Sequence, residues 1–333
     1  MKRRTLAVAA FLVVACLAAT GGRATEKREL RVGFVTYAGV EPSKRTFEGQ
    51  MLDGFLRADR KLDIQGRVAY IAPNQDAATA LQSFARQKYD LVIAAFPGPL
   101  GAIENSAKKF PSVRFFMPDI PIEALPHRPK NVRGSVHRAE EAGYLAGYLA
   151  ALMEGRRPGK HAISAVGGIR FIGVTRWIVG YQAGAKKADP SITVLTGYSR
   201  DFANPAKCRR VALSQIAKGS GVVLNVAGTC GLGALQAAKD EGVWGVGVDI
   251  DQSYLGPHIL TSAVLRLDNV VFNTTRSLVR GRFTTGGNSV FDLRNGGVGL
   301  GKISPKVPRP FLRRLEAIRK AIAAGRIRVP RAS

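Results

Sequence analysis

A pair of acidic residues closes one of the hydrophobic runs of this sequence. The run "GVWGVGV" ends at Asp249, and Asp251 follows two residues later. Carboxylates so placed hold a metal ion, act as acid and base in hydrolysis, or accept hydrogen bonds from neighbouring hydroxyl groups of a ligand. The four histidines and three cysteines form no metal-binding cluster, so no metal is expected. Hydrolysis needs a second carboxylate in the same cleft, for which Asp119 is the candidate, and Asp251 serves equally to cap the following turn.

A glycine-rich turn precedes this acidic pair. The segment "NVAGTCGLGALQAA" predicts a strand, a turn with Gly228 and Thr229, and a helix whose first N–H groups are free to bind a polar ligand atom. The glycines are spaced as GxxGxG and not as the GxGxxG of dinucleotide-binding turns. Ligand contact by the loop, or a plain tight turn, therefore fits better than a nucleotide cofactor, and no cofactor is expected.

The elements that carry these residues alternate from Leu30 onward. Short β-branched runs without a polar face, such as "DLVIAAF" and "GVVLNVAG", are separated by amphipathic segments such as "TFEGQMLDGFLRADRKL". Buried strands separated by helices are typical of a parallel sheet covered on both faces. The alternation runs through two successive rounds, so the sequence predicts an α/β protein with two doubly wound halves, in keeping with its length.

Ligands of such sheets bind at the carboxyl ends of the strands. Two sheets that face each other would bring these ends into one cleft. The aromatic residues in or beside the same loops could sandwich a planar ring, although most aromatics in such folds belong to the core. The candidate ligand-binding residues are Tyr37, Phe47, Phe96, Asp119, Trp177, Phe202, Gly228, Thr229 and Asp249.

The first residues have the pattern of an export signal. Three basic residues precede an apolar run from Leu6 to Ala19 that is shorter than a membrane span. We expect residues 1–24 to hold a signal peptide that is cleaved either before Cys16, as in a bacterial lipoprotein, or after Ala24 by an ordinary signal peptidase. In both cases the mature protein works outside the cytoplasmic membrane, in the periplasm or on the outer face of that membrane.

The formal net charge is +26, which favours a nucleic acid or an anionic surface as partner. No nucleic-acid-binding signature is present, and an exported chain seldom meets nucleic acid. Residues 301–333 contain ten Lys and Arg against the single acid Glu316, so this tail could lie on anionic lipid; a solvated basic surface is the simpler interpretation. Cys208 and Cys230 lie among small residues. We expect them to be two unpaired thiols, with one disulfide as the alternative.

Five further blocks of the sequence follow one another in a recognisable order: "AEEAGYLAGYLAALM", "AVGGIRFIGVTRWIVGYQAGAKKADP", "YSRDFANPAKCRRVA", "NVAGTCGLGALQAAKDEGVWGVGVDIDQ" and "LTSAVLRLD". They resemble, in the same order, blocks of the basic membrane protein family of ABC-transporter substrate-binding proteins. The resemblance runs from about Leu30 to about Leu300, and it implies a ligand like that of the characterised members of this kind, which bind purine nucleosides.

The resemblance implies a type I periplasmic-binding fold, in which two Rossmann-like lobes are joined by a hinge of three crossings and close on a ligand. One lobe would hold residues 30–134 and about 262–288, and the other residues 135–261 and about 289–333. By position, Phe47 and Phe202 would stack on the base and Asp119 and Asp249 would hold the ligand. Gly228 and Thr229 would line the same pocket.

Two positions depart from the family pattern. Tyr37 stands where an aspartate usually follows the first strand, and Leu265 stands where a lysine is expected, with Arg266 beside it. Loss of that lysine removes a charged hydrogen bond worth about 1.5–3 kcal/mol unless another group replaces it, so a purine nucleoside would need a different anchor at this point.

The sequence thus predicts a monomeric binding protein that closes on a small planar, hydroxylated ligand and delivers it to an ABC permease in the membrane. An exported nucleoside or sugar hydrolase that uses Asp119 and Asp249 is the enzymatic alternative. A ligand sensor that reports to a membrane signalling protein would use the same residues as the transport protein.

Overall fold

The computed structural model describes residues 28–41, 46–72, 75–95, 100–159 and 161–332. Within them the helices and strands alternate through two rounds, as the sequence pattern predicts. The export signal 1–24 and the lipidation candidate Cys16 lie outside the described residues.

The first lobe is built on a six-stranded parallel sheet in the order β11-β5-β4-β3-β1-β2. Strand β3 is buried along its whole length, and helix α1 begins after Thr46, whose hydroxyl accepts the Gly49 N–H at 3.0 Å. The elements are β1 (Leu30–Tyr37), α1 (Phe47–Lys61), β2 (Ile64–Ile71), α2 (Ala77–Arg86), β3 (Leu91–Ala94), α3 (Leu100–Lys109), β4 (Arg114–Phe116) and β5 (Val132–His137), with α8 (Leu267–Val279) and β11 (Asn288–Phe291) added from later in the chain.

The second lobe has a six-stranded sheet in the order β12-β10-β9-β8-β6-β7, in which β12 is antiparallel to β10. Its central strands β8 and β10 are buried at every position. The elements are α4 (Ala139–Glu154), β6 (Ala162–Gly167), α5 (Ile172–Ala188), β7 (Thr193–Tyr198), α6 (Pro205–Ala217), β8 (Ser220–Val226), α7 (Gly231–Asp240), β9 (Trp244–Asp249), β10 (Ile259–Leu265), β12 (Val298–Leu300) and α9 (Arg309–Ala323).

Helices α4 and α5 form the tightest helix pair of the second lobe. Every residue of α4 except Glu141 is buried. A Cβ atom added at Gly143 or Gly147 would collide with the backbone of α5 at Trp177 or Tyr181. Small residues therefore let the two backbones touch, which fixes α5 closely against α4.

The chain passes between the two sheets after β5, after β10 and after β11. His137, Leu265 and Phe291 are the last strand residues before these passages. The sequence predicts the divisions between the lobes at 134/135, about 261/262 and about 288/289, within a few residues of these strand ends.

Candidate functional site

The turns after two parallel strands place one carboxylate in each lobe. Asp249 is the last residue of β9, and Asp119 follows β4 in the first lobe. Both residues have left-handed backbone conformations, with φ of 63° and 57°, which aspartate adopts more readily than most residues with a side chain. The N–H of Asp119 donates to Oγ of Ser135 at 2.7 Å, so the neighbouring strand β5 holds this turn in place.

The two carboxylates affect each other electrostatically although they belong to different lobes. Burial of Asp249 raises its pKa to about 6, the negative charge of Asp119 adds to this rise, and the positive charge of Arg176 opposes it. Asp119 and Asp249 are therefore neighbours across the two lobes, at the strand ends that face each other.

A buried histidine, His137, makes a hydrogen bond with Asp119. Nδ1 of His137, at the end of β5, lies 2.7 Å from Oδ1 of Asp119. The His137 side chain is fully buried and its ring stacks against Phe291 at 5.4 Å between centroids. Its Nε2 atom is buried without a hydrogen-bond partner among the residues that the structure describes.

Arg176 of α5 connects this histidine to the second lobe. Its Nη1 donates to the backbone carbonyl of His137 at 3.3 Å, and its Nε is buried with no partner in the described part of the chain. The cation near Asp249 is thus Arg176. Leu265, at the position of the expected lysine, is only 1% exposed and belongs to the core. Arg266 beside it is paired with Asp268 through Nε at 3.1 Å and Nη2 at 3.2 Å.

The aromatic candidates fall into different environments. Phe202 is 37% exposed, lies against the backbone of Gly168 and meets Phe171 edge-on at 6.1 Å. Phe47 is the first residue of α1 and is half-buried against the core, and Tyr37 at the end of β1 is also half-buried.

Trp177 does not belong to this group. It is 2% exposed and packs in the core of the second lobe, where its backbone meets Gly143. Its ring is therefore not available to a ligand, contrary to the sequence-based expectation. Phe96 lies outside the described residues.

The glycine-rich turn lies beside Phe202 and is fixed by a disulfide. Gly228 has φ of 55°, Gly228 and Thr229 are exposed, and the N–H of Cys230 donates to the carbonyl of Phe202 at 2.9 Å. Cys230 is bonded to Cys208 of α6, with Cα atoms 5.5 Å apart. The expectation of two unpaired thiols is wrong, because α6 packs beside the turn and brings the two cysteines within bonding distance.

Among the described residues, no group of three or more His, Cys, Asp or Glu side chains is arranged to hold a metal ion. The site offers two carboxylates, one arginine, one histidine and an exposed aromatic ring. Such a set can orient hydroxyl and N–H groups of a neutral ligand and stack on a planar ring.

His137 and Arg176 are absent from the residues that the sequence pattern singles out. A signal for His137 was available, because it ends a parallel strand at the same edge as Asp119. Arg176 carries no such signal, since it lies on a helix and reaches the site only through the packing of α5.

Sequence comparison agrees with this architecture. Residues 35–333 match the Bmp family model, described as ABC transporter substrate-binding protein, PnrA-like. The chain is 30% identical over 332 residues to the ABC transporter nucleoside-binding protein BmpA of Lactococcus lactis, covering 90% of this chain and 92% of the relative. The protein therefore belongs to the Bmp family of ABC transporter substrate-binding proteins.

Solved structures show the same fold. A solute-binding protein of an ABC transporter system from Conexibacter woesei superposes with a TM-score of 0.69 at 24% identity, over 90% of this chain and 98% of its own. One from Aeropyrum pernix gives a TM-score of 0.67 at 22% identity, over 91% and 94% of the two chains. The type I periplasmic-binding fold expected from the sequence is confirmed.

Proposed function

We propose that this substrate-binding protein takes a purine nucleoside or a closely related planar, hydroxylated compound between its two lobes. The observation that supports this best is that Asp119 and Asp249, each at a strand end of a different lobe, lie near enough for the charge of Asp119 to help raise the pKa of Asp249. A ligand that bonds to both carboxylates favours the closed arrangement of the lobes over the open one, so binding and closure are linked.

Each part of the ligand has a matching group. The Asp249 carboxylate accepts hydrogen bonds from vicinal hydroxyls, and Asp119, oriented by His137, accepts from a ring or exocyclic N–H. Phe202 offers an exposed ring face, and Phe47 is the candidate for the opposite face. Tyr37, Gly228 and Thr229 line the rest of the pocket, and Arg176 supplies the positive charge that Leu265 lacks.

The nucleoside-binding relative from Lactococcus lactis supports the same ligand class. Leu265 stands where the family has a ligand-binding lysine, and we propose that Arg176 replaces the positive charge of that lysine. Its charge already acts on Asp249, and its unpaired Nε can donate to a ligand oxygen.

The protein would deliver its ligand to an ABC permease from outside the cytoplasmic membrane. Within the described residues, no helix has the length and apolar character needed to cross a bilayer. Helix α9 buries only Leu315 and Ile322 and exposes most of its basic side chains. The exposed basic side chains of α9 and a lipid at Cys16 are the two candidate means of holding the protein at a membrane surface.

Thermal unfolding with a panel of nucleosides, free bases, sugars and vitamins tests the ligand class. A ligand at 100 times its dissociation constant adds about 2.7 kcal/mol to stability, so inosine, guanosine or adenosine should raise the melting temperature while ribose should not. Stabilisation by another ring compound, with no effect from any nucleoside, would refute the proposal. Free base and sugar appearing during incubation would favour the hydrolase alternative.

A further inference from the structure

A second polar pocket lies between the lobes, beside the strand end that carries Asp249. Its volume is about 230 Å3. Gln50 lines it from α1 of the first lobe, and Asp251, Gly301 and Lys302 line it from the second lobe. Arg266 and Asp268, from the passage between β10 and α8, complete its wall. Any occupant would therefore touch both lobes at the hinge.

The pocket adjoins the proposed ligand site on two sides. Val264 in its wall is paired in register with Asp249 of the neighbouring strand. Gln50 lies one helical turn after Phe47 on α1. An occupant of the pocket is thus close to the groups that we assign to the hydroxyls and the ring of the ligand.

The acidic side chains of the pocket already have partners. Asp251 accepts the N–H of Ser253 at 3.1 Å through one oxygen and the N–H of Lys302 at 3.2 Å through the other. Asp268 is paired with Arg266, and Nη1 of Arg57 lies 3.5 Å from its Oδ2. Burial opposes the ionised form of Asp268, but these two arginines lower its pKa overall.

The basic and amide side chains of the pocket, in contrast, have hydrogen-bond donors without a partner in the described residues. Gln50 is 5% exposed, and its Nε2 has no hydrogen-bond partner among the described residues. Nζ of Lys302 makes no ion pair within the described ranges. The contacts of Arg266 with Asp268 use Nε and Nη2, which leaves Nη1.

We infer that this hinge pocket binds an oxyanion such as a phosphate group. The unused hydrogen-bonding capacity is donor capacity, two of the donor groups are cationic, and a phosphate oxygen accepts from ammonium, guanidinium and amide N–H alike. A buried amide without a partner carries an energetic penalty that such an acceptor removes. The phosphate is either a free anion that assists closure or the 5′-phosphate of the ligand itself.

Isothermal titration calorimetry with inorganic phosphate, in chloride buffer at neutral pH, tests the pocket. Phosphate should bind the wild-type protein, and Gln50→Leu and Lys302→Met should each weaken it by about tenfold or more. The matched control is Lys187→Met, which removes the same charge from the exposed end of α5. Gln50→Leu replaces an unpaired buried amide with an apolar group of similar size, so it should fold normally.

Titrations with a purine nucleoside and its 5′-monophosphate then show whether the pocket binds a free anion or the 5′-phosphate of the ligand. Equal affinities for the two, together with binding of free phosphate, assign the pocket to a free anion. A tighter monophosphate that loses its advantage in Gln50→Leu and Lys302→Met assigns it to the ligand. If neither phosphate nor the monophosphate distinguishes the wild type from these two variants, the inference is wrong.

Failure of the nucleoside proposal remains distinguishable from failure of the pocket. Asp249→Asn should weaken nucleoside binding without weakening the binding of inorganic phosphate, since it removes a negative charge near the pocket. If no nucleoside binds while phosphate binds the wild type and not the two pocket variants, the ligand proposal is refuted and the hinge pocket is supported.

Discussion

Nδ1 of the buried His137 lies 2.7 Å from a carboxylate oxygen of Asp119. The histidine is fixed by its stacking on Phe291 at 5.4 Å, so it determines how the carboxylate points. The Asp119 side chain keeps 21% of its surface exposed, which leaves room for a ligand. We therefore assign His137 the role of positioning Asp119.

Two replacements of His137 should distinguish its hydrogen bond to Asp119 from its packing against Phe291. His137→Phe keeps a ring against Phe291 and removes the donor, so we expect nucleoside affinity to fall by about five- to tenfold. His137→Asn places an amide nitrogen near the position of Nδ1 and should recover most of the affinity despite poorer packing. Calorimetric titration of both variants measures this, and equal affinities for the two would contradict the assigned role.

The raised pKa of Asp249 predicts a pH-dependent cost in stability. Its pKa rises from 3.8 to about 6 on folding, so between these values the unfolded chain has lost a proton that the folded protein retains. The contribution of Asp249 is therefore neutral below the lower value, becomes unfavourable as pH rises through this window, and stays unfavourable above it.

Asp249→Asn should consequently stabilise the free protein at pH 7.5 by on the order of 1–3 kcal/mol, with the gain fading towards pH 4. Urea unfolding at four pH values measures the difference. The same substitution should weaken nucleoside binding by about tenfold or more, because it removes a charged acceptor. A stability gain that is as large at pH 4 as at pH 7.5 would show that the carboxylate is not the cause.

The wild-type protein should also bind its ligand less tightly as pH falls below about 6, where Asp249 takes up a proton and loses its charge. Titrations at pH 5 and pH 7.5 test this directly. In Asp249→Asn the two affinities should agree, since the titrating group is gone. A pH dependence that persists in the variant would point to another group.

The sequence places the two acidic residues near each other because strand ends of a parallel sheet lie at one edge, whatever the packing of the helices. The expectation for Trp177 is wrong because a position near a loop does not by itself distinguish a ligand-stacking aromatic residue from a core one. Val174, Trp177 and Tyr181 share one face of α5 and all three are buried, and this helical spacing is the signal of a core residue.

Arg176 and the disulfide lie beyond what a single sequence reveals. The arginine acts on Asp249 only because α5 packs closely on α4 through glycines. Cys208 and Cys230 are 22 residues apart in the chain and meet only after α6 has packed beside the turn. Spacing along the sequence does not encode either distance.

Phe202 provides a direct test of ring stacking. Phe202→Ala should weaken the binding of a purine nucleoside by about 1–3 kcal/mol, the usual value of one aromatic ring stacked on a base. Phe171→Ala is the matched control, because it removes a neighbouring ring that is more exposed than Phe202 and meets it edge-on. If both variants bind like the wild type in calorimetry, Phe202 does not contact the base.

Reduction of the Cys208–Cys230 bond should lower stability and loosen the ligand turn. The bond closes a loop of 22 residues, for which the entropy of the unfolded chain gives about 3 kcal/mol, so we expect the melting temperature to fall by about 5–10 °C. The double variant Cys208→Ser, Cys230→Ser should melt at the reduced value and not respond to reductant. Because Cys230 donates to the carbonyl of Phe202, nucleoside affinity should fall in the same samples. Free thiols at both positions in the untreated protein, measured by thiol titration, would contradict the bond.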